Sequence, residues 1–125
     1  MNMNARPALY ASQHPLYVVS QNGVERDVRE YAVVGINCES GDLLTPQSGD
    51  AERIATRSLL EAQFGDLLVI GGAGAYTSGM ALEHYNSQQA GREIMVNKDG
   101  TFYEVRKQEP LSDIWKYEKV PTDLK

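Results

Sequence analysis

The chain has 125 residues, of which 42% are hydrophobic, so it is long enough for one domain with a core but too short for two domains of ordinary size. Its net charge of −5 argues against nucleic acid or an anionic membrane as the main partner, because both are bound by basic surfaces. A single cysteine excludes an internal disulfide, and this pattern predicts a reducing cytoplasm as the compartment.

The first half of the chain contains short strand patterns separated by turn residues. Residues 16–20 are β-branched and aromatic and predict a strand. The Asn-Gly pair at 22–23 is a strong hairpin signal, so a returning strand is expected at 29–36. Residues 39–50 are rich in Gly, Ser, Asp and Pro and predict a long functional or irregular loop. Residues 53–56 predict a further short strand.

The second half begins with a short apolar run at 67–70, which predicts a buried strand. The longest nearly apolar run, 67–76, contains three glycines and is too short to cross a bilayer. Residues 77–82 predict a helical turn that starts at a capping threonine. Residues 92–97 and 101–107 predict two strands of a hairpin, because a Lys-Asp-Gly turn separates them. A short helix is expected at 111–117.

These patterns together indicate a fold class. Several short strands with turns between them, and at most two short helices, predict a mainly β protein, either a β-barrel or a β-sandwich. We expect residues 1–125 to form a single β-domain, with a polar, frayed tail at 119–125.

The only cysteine lies in the stretch Cys38-Glu39-Ser40-Gly41-Asp42, which directly follows a strand-like run. A thiol beside a carboxylate on a loop at a strand end is a setting in which proteins commonly hold reactive groups. The alternative is a buried, inert cysteine next to an ordinary turn.

A glycine-rich stretch at 71–76 is a second candidate. Its three glycines let the backbone bend sharply or approach a ligand closely, and a helix start beside such a loop can bind phosphate. The stretch lacks the lysine of a P-loop and the spacing of the dinucleotide fingerprint, so a plain tight turn is the competing interpretation.

Four motifs in a fixed order carry a family resemblance. They are Arg-Pro-Ala-Leu-Tyr at 6–10 with His-Pro at 14–15, Cys-Glu-Ser-Gly-Asp at 38–42, Gly-Ala-Tyr at 74–76 and Tyr-Asn-Ser at 85–87. Their order and spacing resemble the C-terminal domain of the diaminopimelate decarboxylase family. Members of that family are pyridoxal-phosphate enzymes built from an alanine-racemase-like barrel and a β-domain. The similarity extends from residue 4 to about residue 117.

The resemblance implies a role for each matching residue. Arg6 and Tyr10 would bind the distal carboxylate of the substrate, since a guanidinium fork and a phenol both donate to carboxylate oxygens. Glu39 would pair with the distal ammonium of diaminopimelate. Cys38 would give a proton to the carbon that loses CO2. Tyr76 would contact the substrate and donate its hydroxyl to the cofactor phosphate.

The resemblance also implies a cofactor and partners. The family binds pyridoxal 5'-phosphate on a lysine of an N-terminal TIM barrel, and none of the five lysines of this sequence falls in a pocket-like setting. We therefore expect a C-terminal fragment that is inactive without the barrel. In the family the enzyme is a homodimer whose composite active site receives the Cys-Glu pair from the second copy, and the ligand is a small amino acid.

Several positions depart from the family pattern and keep other functions open. Ala11 stands where the family usually has Gly, and Gln88-Gln89 replaces the usual Arg-Pro after the Tyr-Asn-Ser motif. One alternative is a decarboxylase of a related basic amino acid. A second is a non-catalytic β-barrel module that binds a small anionic ligand through Arg6, Tyr10 and the glycine-rich stretch. A third is a purely structural β-domain that buries its cysteine.

Overall fold

The computed structural model describes residues 7–124. These residues form two compact units, the first ending at Leu82 and the second beginning at Glu83. The expectation of one domain over residues 1–125 stays a prediction, as does the frayed state of the tail. The described part of that tail, residues 119–124, is exposed and contains neither helix nor strand.

Residues 7–82, the described part of the first unit, contain one short α-helix, six strands and one 3-10 turn. In chain order they are α1 (Pro7–Tyr10), β1 (Leu16–Val19), β2 (Val28–Tyr31), β3 (Pro46–Gln47), β4 (Asp50–Ile54), β5 (Arg57–Leu60), β6 (Leu67–Ile70) and the 3-10 turn Ser78–Met80. The strand predicted at 16–20 is confirmed by β1, and the helical turn predicted at 77–82 is the 3-10 turn. The strand predicted at 53–56 begins earlier, as β4, while α1 and β5 were not predicted.

The strands of the first unit pair across long stretches of chain. Strand β1 is antiparallel to β6, with Leu16 opposite Ile70, and β2 is antiparallel to β5, with Val28 opposite Leu60. Strands β3 and β4 form a third, irregular pair. In the β1–β6 pair, the side chains of Leu16, Val18, Leu68 and Ile70 lie in or against the core, so the register of this pair is set by which side chains the core accepts.

The hairpin predicted around the Asn-Gly pair is wrong, because β1 and β2 lie in different sheets. Gly23 does turn the chain, with a φ of +64°. The Arg26 side chain then hydrogen-bonds the carboxylate of Asp66 and, at 3.0 Å, the carbonyl of Glu61. These bonds hold the returning chain against the segment between β5 and β6, so β2 pairs with β5 instead of β1.

The core of the first unit is small and centres on Leu16, Leu44 and Leu59, each less than 10% exposed. Residues 42–46 are all buried. The segment predicted as a loop at 39–50 is irregular as far as residue 45 apart from the bridge at Leu43, and it is then interrupted by β3 and the start of β4. The backbone there is paired, since the N–H of Leu44 donates to the carbonyl of Val33 at 2.8 Å. Burial of an apolar pair is favourable once its backbone groups are satisfied.

Strand β6 was predicted to be buried, but its side chains alternate. Leu67 and Val69 are 55% and 44% exposed, whereas Leu68 and Ile70 are half-buried and pack against the core. The strand has one neighbour, β1, and only one of its faces is covered by the described residues. A continuous apolar run therefore does not by itself distinguish a strand covered on both faces from one covered on a single face.

The second unit contains the predicted hairpin, β7 (Glu93–Val96) and β8 (Phe102–Arg106), with Gly100 at a φ of +85° in the turn. The helix predicted at 111–117 is a 3-10 helix, Leu111–Trp115, and a second 3-10 turn, Tyr85–Ser87, was not predicted.

The mainly β class is confirmed. Within residues 7–124 the strands form four two-stranded sheets and do not close into a barrel. In the same part of the chain, no helix has the length and apolar character that a membrane crossing requires.

Candidate functional site

Two tyrosines far apart in the sequence face one cavity in the first unit. The cavity has a volume of about 240 Å³. Its lining consists of Tyr10, Ser12, His14, Gly72, Ala75, Tyr76 and Thr77. The ring centroids of Tyr10 and Tyr76 are 5.7 Å apart with an angle of 50° between the planes, and both rings are more than half exposed. Two phenols therefore meet at the mouth of a cavity open to solvent.

Tyr10 is the last residue of α1. The following residue, Ala11, has a φ of +50°, and the N–H of Ser12 donates to the Pro7 carbonyl at 3.0 Å, so the chain turns sharply after the tyrosine. A hydrogen bond of 3.7 Å from the Tyr10 hydroxyl to the Met80 sulfur holds the ring beside the 3-10 turn. Ala11 thus takes the left-handed conformation that Gly adopts most easily.

Tyr76 lies on the glycine-rich loop that follows β6. Its φ is +58°, a conformation that aromatic residues seldom adopt and that surrounding contacts must enforce. The next residue, Thr77, is buried, and its hydroxyl donates to the carbonyls of Ala73 and, at 3.2 Å, Gly74. Thr77 was predicted to cap the following helical turn, but its side chain makes no capping hydrogen bond and closes the loop instead.

Cys38 and Glu39 lie on a second loop, which the backbone closes at both ends. Val34 and Leu43 form a β-bridge, and the N–H of Gly35 donates to the Asp42 carbonyl at 2.8 Å. The six residues between Gly35 and Asp42 therefore project from a paired base. The cysteine predicted to be reactive is exposed at the tip of this loop, which contradicts the alternative in which it is buried packing.

The carboxylate of Glu39 folds back onto its own turn. One of its oxygens accepts a 2.9 Å hydrogen bond from the N–H of Gly41. The side chain of Asp42 is instead buried at the base of the loop, where it accepts a 3.0 Å bond from the N–H of Asn37. Of the two acids in the motif, Asp42 therefore builds the loop, and Glu39 remains exposed.

The five residues predicted to form the site fall into three groups. Tyr10 and Tyr76 are brought together at the cavity. Cys38 and Glu39 share the second loop and are not among the described residues that line the cavity. Arg6 lies outside the described residues.

Sequence reasoning assigned no role to two further cavity residues, Ser12 and His14. The Nε2 of His14 lies 3.1 Å from the Ser12 hydroxyl, and its Nδ1 lies 3.1 Å from the carbonyl of Gly71. The only signal in the sequence was the His-Pro pair that accompanies the first motif.

A family model described as "Pyridoxal-dependent decarboxylase, C-terminal sheet domain" matches residues 1–74, which is more than half of the chain. The chain belongs to this family. A relative of this pyridoxal-dependent decarboxylase domain, the diaminopimelate decarboxylase of Buchnera aphidicola subsp. Baizongia pistaciae, is 37% identical over 117 residues, covering 90% of this chain and 27% of the relative.

Solved structures give the same result for the pyridoxal-dependent decarboxylase domain. A crystal structure of diaminopimelate decarboxylase superposes with a TM-score of 0.80 at 31% identity, covering 92% of this chain and 27% of that protein. Diaminopimelate decarboxylase from Helicobacter pylori complexed with L-lysine gives a TM-score of 0.73 at 31% identity, covering 93% of this chain and 25% of that protein. The chain thus spans about a quarter of the length of the relatives it matches.

Proposed function

We propose that the chain acts as the C-terminal sheet domain of a pyridoxal-phosphate-dependent decarboxylase that converts meso-diaminopimelate to L-lysine and CO2. The observation that carries the proposal is the pair Tyr10 and Tyr76 at one cavity, in a chain whose relatives are diaminopimelate decarboxylases. The two residues are 66 positions apart, yet each belongs to a different motif of the family resemblance. Their contact supports a shared ligand.

The binding residues divide between the two charged groups at the distal end of the substrate. Arg6 and Tyr10 bind the distal carboxylate, and Glu39 binds the distal ammonium, because charge-assisted hydrogen bonds fix both the position and the orientation of a zwitterionic group. Tyr76 donates its hydroxyl toward the cofactor phosphate and borders the substrate. Tyr76 lines the cavity and is 68% exposed, so its hydroxyl can reach a ligand as a donor.

The glycine-rich loop fits one edge of pyridoxal phosphate. At Gly74 the space where a Cβ would stand is open, so the backbone there can approach a phosphate. All lysines of the sequence lie at position 98 or later, and the four at 98–119 are exposed in the second unit. The anchoring lysine is therefore assigned to a TIM barrel outside this chain. When bound, the cofactor takes up the electron pair that departing CO2 leaves behind.

Cys38 supplies the proton that the substrate carbon needs after CO2 has left. The thiol is exposed on a loop with a paired base, a placement that suits an acid acting on a site formed with another piece of protein. We place that site in a homodimer, with Cys38 and Glu39 of one copy reaching the cofactor of the other, in the cytoplasm.

Exposed apolar surface on the first unit supports contacts with other protein domains. Phe64 is fully exposed, and an apolar cavity of about 270 Å³ lies beside it, lined in part by Val33, Leu59 and Leu68. Apolar surface of this kind is uncommon on isolated domains and marks contact regions. A barrel and a second copy are the partners that the proposal requires.

A hybrid enzyme tests the proposal. The part of the Helicobacter pylori enzyme that this chain matches is replaced by the chain, and lysine and CO2 are measured with diaminopimelate and pyridoxal phosphate. We expect activity in the hybrid and none in the chain alone. Cys38→Ala should lower kcat by about 100-fold or more, as expected for loss of a general acid. Tyr76→Phe should lower kcat/KM by about tenfold or more, as expected for loss of one hydrogen bond to a charged group.

The control is Tyr117→Phe, because Tyr117 is an 87% exposed tyrosine of the second unit with no assigned role. It should leave activity unchanged. A folded hybrid that binds the cofactor but releases no CO2, or full activity in Cys38→Ala, would contradict the proposal. Activity with ornithine or arginine in place of diaminopimelate would favour the related basic amino acids. Calorimetric binding of diaminopimelate by the chain alone would favour the non-catalytic module.

A further inference from the structure

His14 is half-buried beside the cavity and both of its ring nitrogens have partners. The Nδ1 atom lies 3.1 Å from the carbonyl oxygen of Gly71, and the Nε2 atom lies 3.1 Å from the hydroxyl of Ser12. The N–H of Gly71 in turn donates to the carbonyl of Pro15 at 2.8 Å. Two neighbouring residues, 14 and 15, therefore bind the two backbone groups of a single glycine.

The partners determine the tautomer of the imidazole. A carbonyl oxygen only accepts, so the hydrogen bond to Gly71 requires the proton on Nδ1. In the neutral ring Nε2 is then an acceptor, and the Ser12 hydroxyl must donate to it. The Ser12 hydroxyl can satisfy this requirement by rotating its hydrogen toward Nε2, which stabilises the Nδ1–H form of His14.

Gly71 is the first residue of the loop that carries Tyr76. Pro15 contacts this entry closely, since a Cβ on Gly71 would stand 3.3 Å from the Pro15 Cβ, and Gly72 has a φ of +61°. At the far end, the buried Thr77 hydroxyl binds the carbonyls of Ala73 and Gly74. The strained backbone of Tyr76, at a φ of +58°, lies between these two anchors.

We propose that His14 is a positioning residue for Tyr76: with its proton on Nδ1 it holds the Gly71 carbonyl, and with Pro15 it fixes the loop that presents the Tyr76 ring to Tyr10 across the cavity. Ser12 stabilises the required tautomer. His14 thus acts through the loop and not by contact with a ligand. Only the consequence for catalysis rests on the proposed function, because the geometry itself is measurable in the chain.

The first test needs no variant. Nitrogen-15 NMR of the histidine side chains is recorded at mildly alkaline pH, where a neutral imidazole can be examined. We expect the His14 signals of a ring protonated at Nδ1 and unprotonated at Nε2. A ring protonated at Nε2, or an equal mixture of tautomers, would overturn the proposal, because Nδ1 could not then hold Gly71.

The second test compares two substitutions of His14 in the same chain. His14→Ala removes the donor to Gly71, while His14→Asn keeps an amide N–H near the position of Nδ1. The readout is the NMR cross-peak between the rings of Tyr10 and Tyr76. We expect it to be lost in His14→Ala and retained in His14→Asn. The control is His84→Asn, because His84 is the other histidine and binds Glu109 in the second unit.

Retention of the ring cross-peak in a folded His14→Ala chain would overturn the proposal. So would an equal loss of the cross-peak in His84→Asn and in His14→Ala. In the hybrid enzyme, His14→Ala should lower kcat/KM about tenfold on its own but have little further effect beside Tyr76→Phe, because both changes act through the same hydroxyl. If the hybrid is inactive while both NMR results hold, the proposed function fails and the positioning role stands.

Discussion

Gly35→Ala is the substitution for which the structure gives the clearest expected cost. A Cβ built on Gly35 would stand 1.9 Å from the Asp42 Oδ2 and 2.2 Å from its Cγ. Those distances are far below any van der Waals contact, so either the carboxylate or the backbone has to move. Asp42 is only 4% exposed and its carboxylate accepts a hydrogen bond from the N–H of Asn37, so a movement of the carboxylate would break that bond.

The expected loss of stability has two contributions: the hydrogen bond that the methyl group would break and the steric strain that it would add. Losing a hydrogen bond to a charged acceptor costs about 1.5–3 kcal/mol, and forcing an extra methyl into a filled space typically costs about 1–3 kcal/mol. Partial relaxation of the exposed loop will reduce their sum. We therefore expect the free energy of unfolding to fall by about 2–4 kcal/mol, a large share of the 5–15 kcal/mol typical of a domain.

Urea unfolding followed by circular dichroism measures this loss. The matched control is Gly79→Ala, because a Cβ on Gly79 would meet no atom within 4 Å and its φ is not positive. That change should alter stability by less than about 0.5 kcal/mol. Adding Asp42→Ala to Gly35→Ala opens the space that the methyl group needs. The double variant should therefore lose less than the sum of the two single losses.

The reasoning is refuted if Gly35→Ala and Gly79→Ala have equal effects, since the contact with Asp42 would then carry no cost. The steric explanation is also refuted if the stability lost in the double variant equals the sum of the losses in Gly35→Ala and Asp42→Ala. Stability lost in Gly35→Ala but not in Gly79→Ala, and partly recovered when Asp42→Ala is added, would show that the close approach of Gly35 and Asp42 stabilises the base of the loop that carries Cys38.

Two further measurements test other parts of the first unit. The hydrogen bond from Arg26 lowers the pKa of Asp66 below its ordinary 3.8, so the resulting stabilisation is present above that pH and is lost as the pH falls through the lowered pKa. Urea unfolding of Arg26→Met should show lower stability at neutral pH and a smaller loss on acidification than the unsubstituted chain, and equal losses would contradict the pairing. Iodoacetamide should alkylate Cys38 in the folded chain within about tenfold of the rate in urea, because the thiol is exposed, and strong protection would contradict that exposure.

Local sequence patterns predicted the elements that depend on neighbouring residues. The β7–β8 hairpin was predicted because a Lys-Asp-Gly turn lies between two apolar runs, and its glycine takes the expected positive φ. The Asn-Gly pair at 22–23 has the same local chemistry, yet its strands separate because Arg26 binds residues 35 and 40 positions away. Turn chemistry thus determines the bend but not the partner strand when a buried ion pair intervenes.

The core was harder to predict than the strands. Leu44 lies in a stretch rich in turn residues, and its burial depends on the carbonyl of Val33, a residue that the pattern assigns to a different element. Strand β5 was missed because it begins with Arg57 and Ser58, which give no apolar alternation. Both errors arise because a residue's burial depends on neighbours that are distant in sequence, and the local hydrophobic pattern carries no information about them.

The candidate site was predicted from motifs and not from periodicity. Cys38 and Glu39 were first singled out as a thiol beside a carboxylate on a loop, and the family resemblance gave them roles and added Tyr10 and Tyr76. The structure brings the two tyrosines together across 66 positions of sequence. No residue pattern predicted that His14 would bind Gly71, because a histidine bonded to a backbone carbonyl resembles any other histidine in a sequence. The roles assigned to Arg6, Tyr10, Cys38, Glu39 and Tyr76 remain proposals.

The two parts of the candidate site are built in the same way. In each, an exposed side chain lies on a short loop whose ends are fixed by residues to which no reacting group is assigned. Gly35 and Asp42 close the loop of Cys38, and His14 and Thr77 hold the loop of Tyr76. An exposed side chain has few contacts of its own, so its position is set by the backbone that carries it. Substitutions at the loop ends should therefore impair the proposed reaction without removing a reacting group.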